Sequence, residues 1–225
     1  MPPRTPNETR ARLLEAGAEL FAAQGFHGTT VREIAERAGV NLAAGHYHFG
    51  SKRDLYLEVF RAHFGRVRDE LRQRGAAPDP AQLAHLSPQE AAIVLRERIR
   101  AMLDQVMATS PPIAPLLMQR EMTDPTEALP VIVREFIRPM TEELEAIVAR
   151  LAPDLDEIDV TRSAMSIVGQ ALFYQFAKPA VLRVLGETRY SRDLASALAD
   201  HITAFSLGGL AATGRPRERR RARAR

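Results

Sequence analysis

The sequence contains no cysteine, which excludes disulfide bonds and thiolate metal sites. No run of apolar residues reaches the roughly 18 positions that a membrane-spanning helix needs, and the N-terminal MPPRTPNETR has no apolar signal region. No segment alternates apolar and polar residues in the manner of a half-buried strand. We therefore expect an all-α, cytoplasmic protein without a membrane segment.

Sequence motifs of catalysis are also missing. We find no GxSxG, HExxH, GxxxxGK[ST] or GxGxxG motif. The carboxylates Glu142, Glu143 and Glu145 follow the pattern of an ordinary solvated helix face. No nucleophile is spaced with a base that could activate it. We therefore expect neither an enzyme nor a cofactor.

The net charge of +3 conceals an uneven distribution of charge along the chain. Residues 1–77 carry 12 Lys and Arg against 9 Asp and Glu, residues 78–214 carry 12 against 18, and residues 215–225 carry 7 Arg against one Glu. Basic ends around an acidic middle suggest a polyanionic partner. Alternatively, the Arg-rich end at 211–225 is only a disordered, solvated tail.

Four helices are predicted in the first 75 residues. Residues suited to begin them are Thr5, Thr30, Asn41 and Ser51. Gly25 is suited to the left-handed position after the first helix, and Gly39 ends the short second one. The third runs only from Leu42 to about His48. Two short helices around a tight turn, with a longer helix on each side, form a helix-turn-helix, a motif that places its second short helix in the DNA major groove.

The segments TTVREIAERAGV and YHFGSKRDLY resemble the DNA-binding domain of TetR/AcrR-type transcriptional regulators. The resemblance covers roughly residues 7–60, and VNLAAGHYHFGSK is similar to the CecR-like branch. It implies a three-helix DNA-binding domain over 1–50, with a connecting helix to about residue 75. It also implies a C-terminal ligand-binding and dimerisation domain, which we place at 76–210.

The resemblance also implies which residues contact DNA. Tyr47, His48 and Lys52 match phosphate contacts, and all three side chains can donate to phosphate oxygen. Thr30 stands at a helix N-terminus, whose free amides suit an anion. The positions expected to face base edges are those of Asn41, Leu42, Ala43, Ala44 and His46.

Two features of the predicted third helix, the recognition helix, need separate interpretation. His46 and His48 could suggest a metal site, but residues two apart on a helix point in different directions. Zinc also needs three or four converging ligands, so we expect no metal. Gly45 stands where the family usually has a larger apolar residue. Glycine there costs about 1 kcal/mol relative to alanine, which predicts a recognition helix that is loose when free.

Helical signals continue through the C-terminal part. Residues 76–87 read as a linker or an ordered loop, and Ser87 begins a helix to about Thr109. Pro130 and Pro139 should interrupt or kink the helical stretch that ends near Leu151. Further helices are predicted at 113–122, 157–177 and 191–209.

The acidic middle of the chain is expected to be a sensor domain, with a pure scaffold as the alternative. Methionines, aromatics and a few polar residues between helix-breaking prolines predict an apolar pocket, although methionines at helical spacing are also common in plain cores. The candidate pocket residues are Met102, Leu117, Met118, Arg120, Met122, Phe136, Met140, Met165, Gln170, Phe173 and Tyr174. They indicate a small amphipathic or aromatic effector.

The last two predicted helices carry more apolar surface than one subunit needs. Such a helix pair can pack on its copy in a homodimer, as the TetR resemblance also implies, or else fold entirely against its own domain. The candidate interface residues are Met165, Val168, Gly169, Leu172, Phe176, Leu194, Leu198, Ile202 and Phe205.

Together these patterns predict a sequence-specific DNA-binding transcriptional regulator. The favoured form is a ligand-responsive repressor that binds a palindromic operator as a dimer. The alternative is a helical DNA-binding or architectural protein whose C-terminal domain only dimerises and senses no ligand. The sequence identifies neither the effector, nor the operator and the regulated genes, nor the sign of regulation.

Overall fold

The structure is a computed structural model, and it describes residues 5–107 and 113–214. These ranges contain helices and no strand, which confirms the all-α prediction. The helices are α1 Pro6–Gly28, α2 Val31–Ala38, α3 Leu42–Phe49, α4 Lys52–Gln73, α5 Pro80–His85, α6 Pro88–Met107, α7 Ile113–Thr123, α8 Leu129–Ile132, α9 Arg138–Leu151, α10 Glu157–Phe176, α11 Lys178–Leu185 and α12 Arg192–Thr213. A π-helical turn, Val133–Ile137, joins α8 to α9.

The predicted helix beginnings are confirmed by their hydrogen bonds. Thr5 and Thr30 each form a reciprocal capping box with the glutamate three residues later. The Ser51 hydroxyl accepts from the Asp54 N–H at 3.1 Å, and Ser87 accepts from Glu90 at 3.2 Å. Gly39 closes α2 in the left-handed conformation, with φ 63° and ψ 41°. Local hydrogen bonds therefore mark where these helices begin and where α2 ends.

Helix α1 is broken at Gly25, close to where the sequence predicts its end. Gly25 has φ 77° and ψ 173°, and helical backbone then resumes as far as Gly28. This combination of angles is essentially restricted to glycine because a Cβ atom would be strained there. The break separates the last turn of α1, up to Gly28, from the rest of the helix.

Substituting alanine at Gly25 should therefore destabilise the protein by about 1–3 kcal/mol, the usual cost of a residue held in such a backbone conformation. The change is measured as the free energy of unfolding in urea. Gly28→Ala is the matched control, because Gly28 does not have positive φ and its added Cβ would make only an ordinary 3.5 Å contact with Gln24. Equal stability of the two variants would contradict the strain at Gly25.

Three elements differ from the sequence prediction. The predicted linker contains α5, which Asp79 caps and Pro80 begins. Helix α11 follows α10 after a break at Ala177 and ends at left-handed Gly186. Where Pro139 predicted an interruption, the structure has the π-helical turn Val133–Ile137 just before it. A proline ring clashes with the carbonyl four residues earlier in an α-helix, and a wider turn before it accommodates that carbonyl.

The described chain forms two compact units that differ from the predicted domain boundaries. The N-terminal unit contains residues 5–67 and 113–137, and the C-terminal unit contains 68–107 and 138–214. The segment 113–137 therefore packs with the N-terminal helices, although the sequence places it in the 76–210 domain. The reason is side-chain chemistry: Phe136 packs on Phe64, with ring centroids 5.4 Å apart, and α7 packs against α1.

The C-terminal unit is built around α6, which packs against α9, α10 and α12. Its core includes Leu95, Ile99 and Leu103, all fully buried. Helix α12 alone among the helices in the described ranges is long and apolar enough to cross a membrane. One side of α12, including Ala199 and Ile202, is buried in this core.

Candidate nucleic-acid interface

The helix-turn-helix consists of α2, a short turn and α3. Ile34, Ala35 and Ala38 form the buried face of α2. The turn is fixed by the Val40 N–H, which donates to the Ala35 carbonyl at 3.0 Å. The Asn41 side chain then accepts from the Ala43 N–H at 3.0 Å. Asn41 thus caps α3, as predicted from the sequence.

Gly45 has a packing function in this motif. It is buried, and a Cβ atom added to it would lie 3.1 Å from Cγ1 of Val31. Glycine therefore allows α3 to approach the first turn of α2 more closely than most side chains would permit. The sequence alone suggested a loose helix, whereas this contact gives glycine a reason to stand inside it.

The side of α3 away from this contact is accessible. Asn41, Leu42 and Ala43 are exposed. Tyr47 is the most exposed aromatic of the motif, with 83% of its surface accessible, and its ring meets that of the half-buried His48 edge-on at 5.2 Å. The predicted contacts Ala44 and His46 belong to α3, but their side chains lie outside the part that the structure describes.

Lys52 has a defined partner within the chain. Its ammonium donates to the Thr29 carbonyl at 2.8 Å and lies 4.3 Å from the centre of the Phe26 ring. An ammonium has three donors, and this hydrogen bond uses one of them. Lys52 consequently both fixes the residue before the α2 cap and places a positive charge beside it.

The N-terminus of α2 is only partly free. The N–H of Thr30 donates to the Glu33 carboxylate at 2.8 Å, and the Thr30 hydroxyl donates to the same oxygen at 2.7 Å. The hydroxyl hydrogen bond and then the backbone one lower the pKa of Glu33, with a smaller contribution from the Lys52 charge. The capping box thus uses the Thr30 and Glu33 amides, while those of Val31 and Arg32 belong to a helix end that suits an anion.

The candidate pocket residues fall into both compact units. Those in the N-terminal unit are Leu117, Met118, Arg120, Met122 and Phe136, and those in the C-terminal unit are Met102, Met140, Met165, Gln170, Phe173 and Tyr174. Leu117 and Phe136 are buried, and Phe136 packs on Phe60 and Phe64. Arg120 donates to the carbonyls of Ala22 and Ala23. Phe136 thus takes part in aromatic packing, and Arg120 contacts the end of α1.

Three candidates do share a concavity in the C-terminal unit. Gln170, Phe173 and Tyr174 of α10 line it together with Gly169 and with two residues of α12 that the prediction did not include in the pocket, His201 and Ile202. Its volume is about 360 Å³, and it is open to the surface. Gln170 is held by a 3.3 Å hydrogen bond with Ser206 of α12. This concavity lies on the surface predicted for dimerisation.

The predicted dimer residues divide by exposure. Met165, Gly169 and Phe176 of α10 and Phe205 of α12 are exposed. Val168, Leu172, Leu194 and Leu198 are partly buried against the core of the C-terminal unit, and Ile202 is fully within it. We call the exposed set, together with Phe173, the α10–α12 face.

Comparison with known proteins decides the family. The model described as bacterial regulatory proteins, tetR family, matches residues 13–59. The model described as the C-terminal domain of the HTH-type transcriptional dual regulator CecR matches residues 91–210, more than half of the chain. The chain belongs to the TetR family of transcriptional regulators. Its C-terminal part is of the CecR type, which confirms the resemblance seen in the sequence.

Named members of the TetR family agree with this assignment. The dual regulator CecR of Shigella flexneri is 26% identical over 191 residues, covering 83% of this chain and 84% of its own. The repressor KstR2 of Mycobacterium tuberculosis is 40% identical over 67 residues, 28% of this chain and 34% of its own. FadR of Bacillus subtilis, solved in complex with stearoyl-CoA, has the same fold with a TM-score of 0.65 and 17% identity, over 88% of this chain and 98% of its own.

These members of the TetR family are transcriptional regulators and not enzymes. Among the residues that the structure describes, no three His, Asp or Glu side chains could share a metal ion. Sequence reasoning missed two contacts of the DNA-binding region: Val31 lies against Gly45, and Arg120 donates to the end of α1. Neither contact forms a local pattern, because Gly45 lies in the helix after Val31 and Arg120 lies almost a hundred residues from its partners.

Proposed function

We propose that this TetR-family regulator is a ligand-responsive, cytoplasmic repressor that binds a palindromic operator as a homodimer. One observation carries the proposal: the chain has both an exposed apolar surface, the α10–α12 face, and an accessible recognition helix, α3. Phe173 and Phe205 are 57% and 67% exposed there. Contiguous exposed apolar surface of this kind marks an interaction site, and closed two-fold assembly is the commonest way to cover it.

A two-fold dimer dictates the form of the operator. Its two recognition helices enter successive major grooves about 34–36 Å apart, so the half-sites are related by the same symmetry. Tyr47, His48 and Lys52 would hold the DNA backbone, with the exposed end of α2. Asn41, Leu42, Ala43, Ala44 and His46 would face the bases.

The effector would act by preferring one conformation of the dimer. A ligand that binds better to a state with a different spacing of the recognition helices reduces the population able to bind DNA. An amphipathic or aromatic molecule fits the apolar character of the pocket candidates. FadR, bound to stearoyl-CoA, shows that this fold can accommodate such a ligand. We place the site in the C-terminal part, among Met102, Met140, Gln170 and Tyr174.

Repression is the proposed sign of regulation. KstR2 is named a repressor, but CecR is named a dual regulator, and the position of the operator in the promoter decides the outcome. The alternative function, a dimeric DNA-binding protein without an effector, predicts operator binding that no amphipathic ligand releases. The Arg-rich residues 215–225 lie outside the described residues. We propose that they add salt-sensitive, non-specific affinity.

Lys52→Ala tests the phosphate contacts. Loss of the Lys52 ammonium should weaken binding to all DNA sequences. It should also reduce the magnitude of the negative slope of log affinity against log salt by about one for each subunit. Tyr47→Phe, which removes one hydroxyl donor, should weaken binding by about tenfold with a smaller change in slope. Both are measured by fluorescence anisotropy of labelled DNA at several salt concentrations.

The chain's second lysine supplies the control. Lys178 also lies over an aromatic ring, 5.5 Å from the centre of Tyr190, but it belongs to α11. Lys178→Ala should leave both affinity and slope unchanged. If Lys52→Ala behaves like Lys178→Ala, Lys52 serves only to hold Thr29 and the phosphate assignment is wrong.

A further inference from the structure

The broken end of α1 is held by a residue from the middle of the chain. The last carbonyls of a helix lack partners within it, and the break at Gly25 creates such an end at α1. Arg120 of α7 donates from Nε to the Ala22 carbonyl at 3.0 Å and from its terminal nitrogen to the Ala23 carbonyl. A cation is also the favourable charge at a helix C-terminus.

From this end, consecutive contacts lead to the N-terminus of α2. The Gly25 carbonyl accepts from the hydroxyl of Thr29, which is fully buried, at 2.8 Å. The Thr29 carbonyl in turn accepts from Lys52. The next residue, Thr30, is the cap of α2. The position of the α1 end therefore determines where α2 and the turn to α3 begin.

The residue after Arg120 fixes α7 to α4. Glu121 is completely buried, and it accepts from the Tyr56 hydroxyl at 2.8 Å and from the Thr126 N–H at 2.9 Å. A buried, fully paired carboxylate has little freedom to move. Glu121 thus sets the place of α7, and Arg120 projects from that fixed place to the carbonyls of α1.

We propose that Arg120 is a positioning residue for DNA binding: it holds the α1 end so that α2 and α3 meet the DNA in register, without touching DNA itself. The proposal rests on the DNA-binding function proposed above. It replaces the pocket assignment of Arg120 from the sequence, because two of its donor groups already have backbone partners. It also makes α7 part of the machinery that binds DNA.

The test compares Arg120→Gln with Arg134→Gln. Both changes remove one exposed arginine from the 113–137 segment, but the ion pair described for Arg134 is with its neighbour Glu135, at 3.5 Å. Arg120→Gln should lower affinity for selected DNA by about tenfold, an ordinary coupling effect, while Arg134→Gln should not. The salt slope should equal that of the wild type, since no phosphate contact is lost. Arg120→Lys, which keeps the charge but not the two-nitrogen fork, should recover part of the affinity.

Hydrogen exchange of the free protein tests the same proposal without DNA. In Arg120→Gln the amides from Phe26 to Ala38 should exchange faster, and those of α12 should keep their rates. Equal affinity and equal exchange in the Arg120→Gln and Arg134→Gln variants would overturn the proposal. A reduced salt slope would also overturn it, because Arg120 would then contact phosphate directly. If the wild type lacks a palindromic site, the proposed function fails, whereas the exchange rates still decide whether Arg120 holds the end of α1 and the start of α2.

Discussion

Replacing Phe205 with aspartate is expected to convert the proposed dimer into a monomer and to abolish tight binding to the proposed operator. Burying one phenylalanine contributes roughly 1.5–3 kcal/mol, and a two-fold interface contains the residue twice. The dimer dissociation constant should therefore rise by roughly 10²- to 10⁴-fold. The monomer has one recognition helix, so it loses the second half-site and the affinity that comes from linking the two.

Sedimentation velocity at micromolar concentration measures the dissociation of the Phe205→Asp variant, and anisotropy of operator DNA measures its binding. Ile93→Asp is the control, because Ile93 is 61% exposed on α6 and lies outside the α10–α12 face. The control should remain dimeric and bind the operator normally. A dimeric Phe205→Asp variant would show that α10 and α12 do not form the interface, and a monomeric wild type would remove the dimer altogether.

The second large effect is expected at Glu121, where alanine should reduce the free energy of unfolding by about 3–5 kcal/mol. The wild-type carboxylate accepts from the Tyr56 hydroxyl, the Thr126 N–H and the Thr126 hydroxyl, at 2.8, 2.9 and 3.0 Å. Its removal leaves these buried donors without their acceptor and opens a cavity beside Tyr56. Such losses cost more than the hydrogen bonds contribute, because the donors remain desolvated.

Urea denaturation of Glu121→Ala, Tyr56→Phe and the double variant measures the interaction free energy between Glu121 and Tyr56. Tyr56→Phe should cost less, since the carboxylate keeps Thr126, and the double variant should lose less than the sum of the single changes. Strict additivity would contradict a coupled pair. A Glu121→Ala protein of wild-type stability would show that the buried carboxylate is not paired as described.

The same pair predicts the response to high pH. Burial, and then the hydrogen bond to Glu121, raises the pKa of Tyr56 above its ordinary value of 10. The folded state therefore keeps a proton that the unfolded state releases above about pH 10. The contribution of Tyr56 to stability is complete below that pH and declines above it. Tyr56→Phe should show a shallower decline than the wild type.

Local signals made the helix ends predictable, including those of the helix-turn-helix. Thr5, Thr30 and Ser87 stand three residues before a glutamate, and each forms the expected cap. Gly39 has the left-handed conformation that its position suggested. These features depend on neighbours within a few residues, so the sequence displays both partners. The exposure of Tyr47 follows from the same helical phase.

What the sequence did not show depends on partners distant in the chain. Gly45 leaves room for the neighbouring Val31 side chain. Lys52 contacts Thr29 and the Phe26 ring, and Arg120 donates to the end of α1. Pro139 predicted an interruption but not its π-helical form, which positions Glu135 for paired hydrogen bonds with Arg61 at 3.0 and 3.1 Å. The pocket remains a prediction, because apolar residues at helical spacing look alike in a core, a pocket and an interface.

The proposed function is decided by selecting bound fragments from random-sequence DNA, at near-physiological salt and with the purified 225-residue chain. A dimeric TetR-family regulator should enrich a palindrome whose half-sites lie about one helical turn apart. The Phe205→Asp variant should not enrich it. Enrichment of a single asymmetric half-site, or binding that only falls with salt and prefers no sequence, would contradict a two-fold dimer that reads a specific operator.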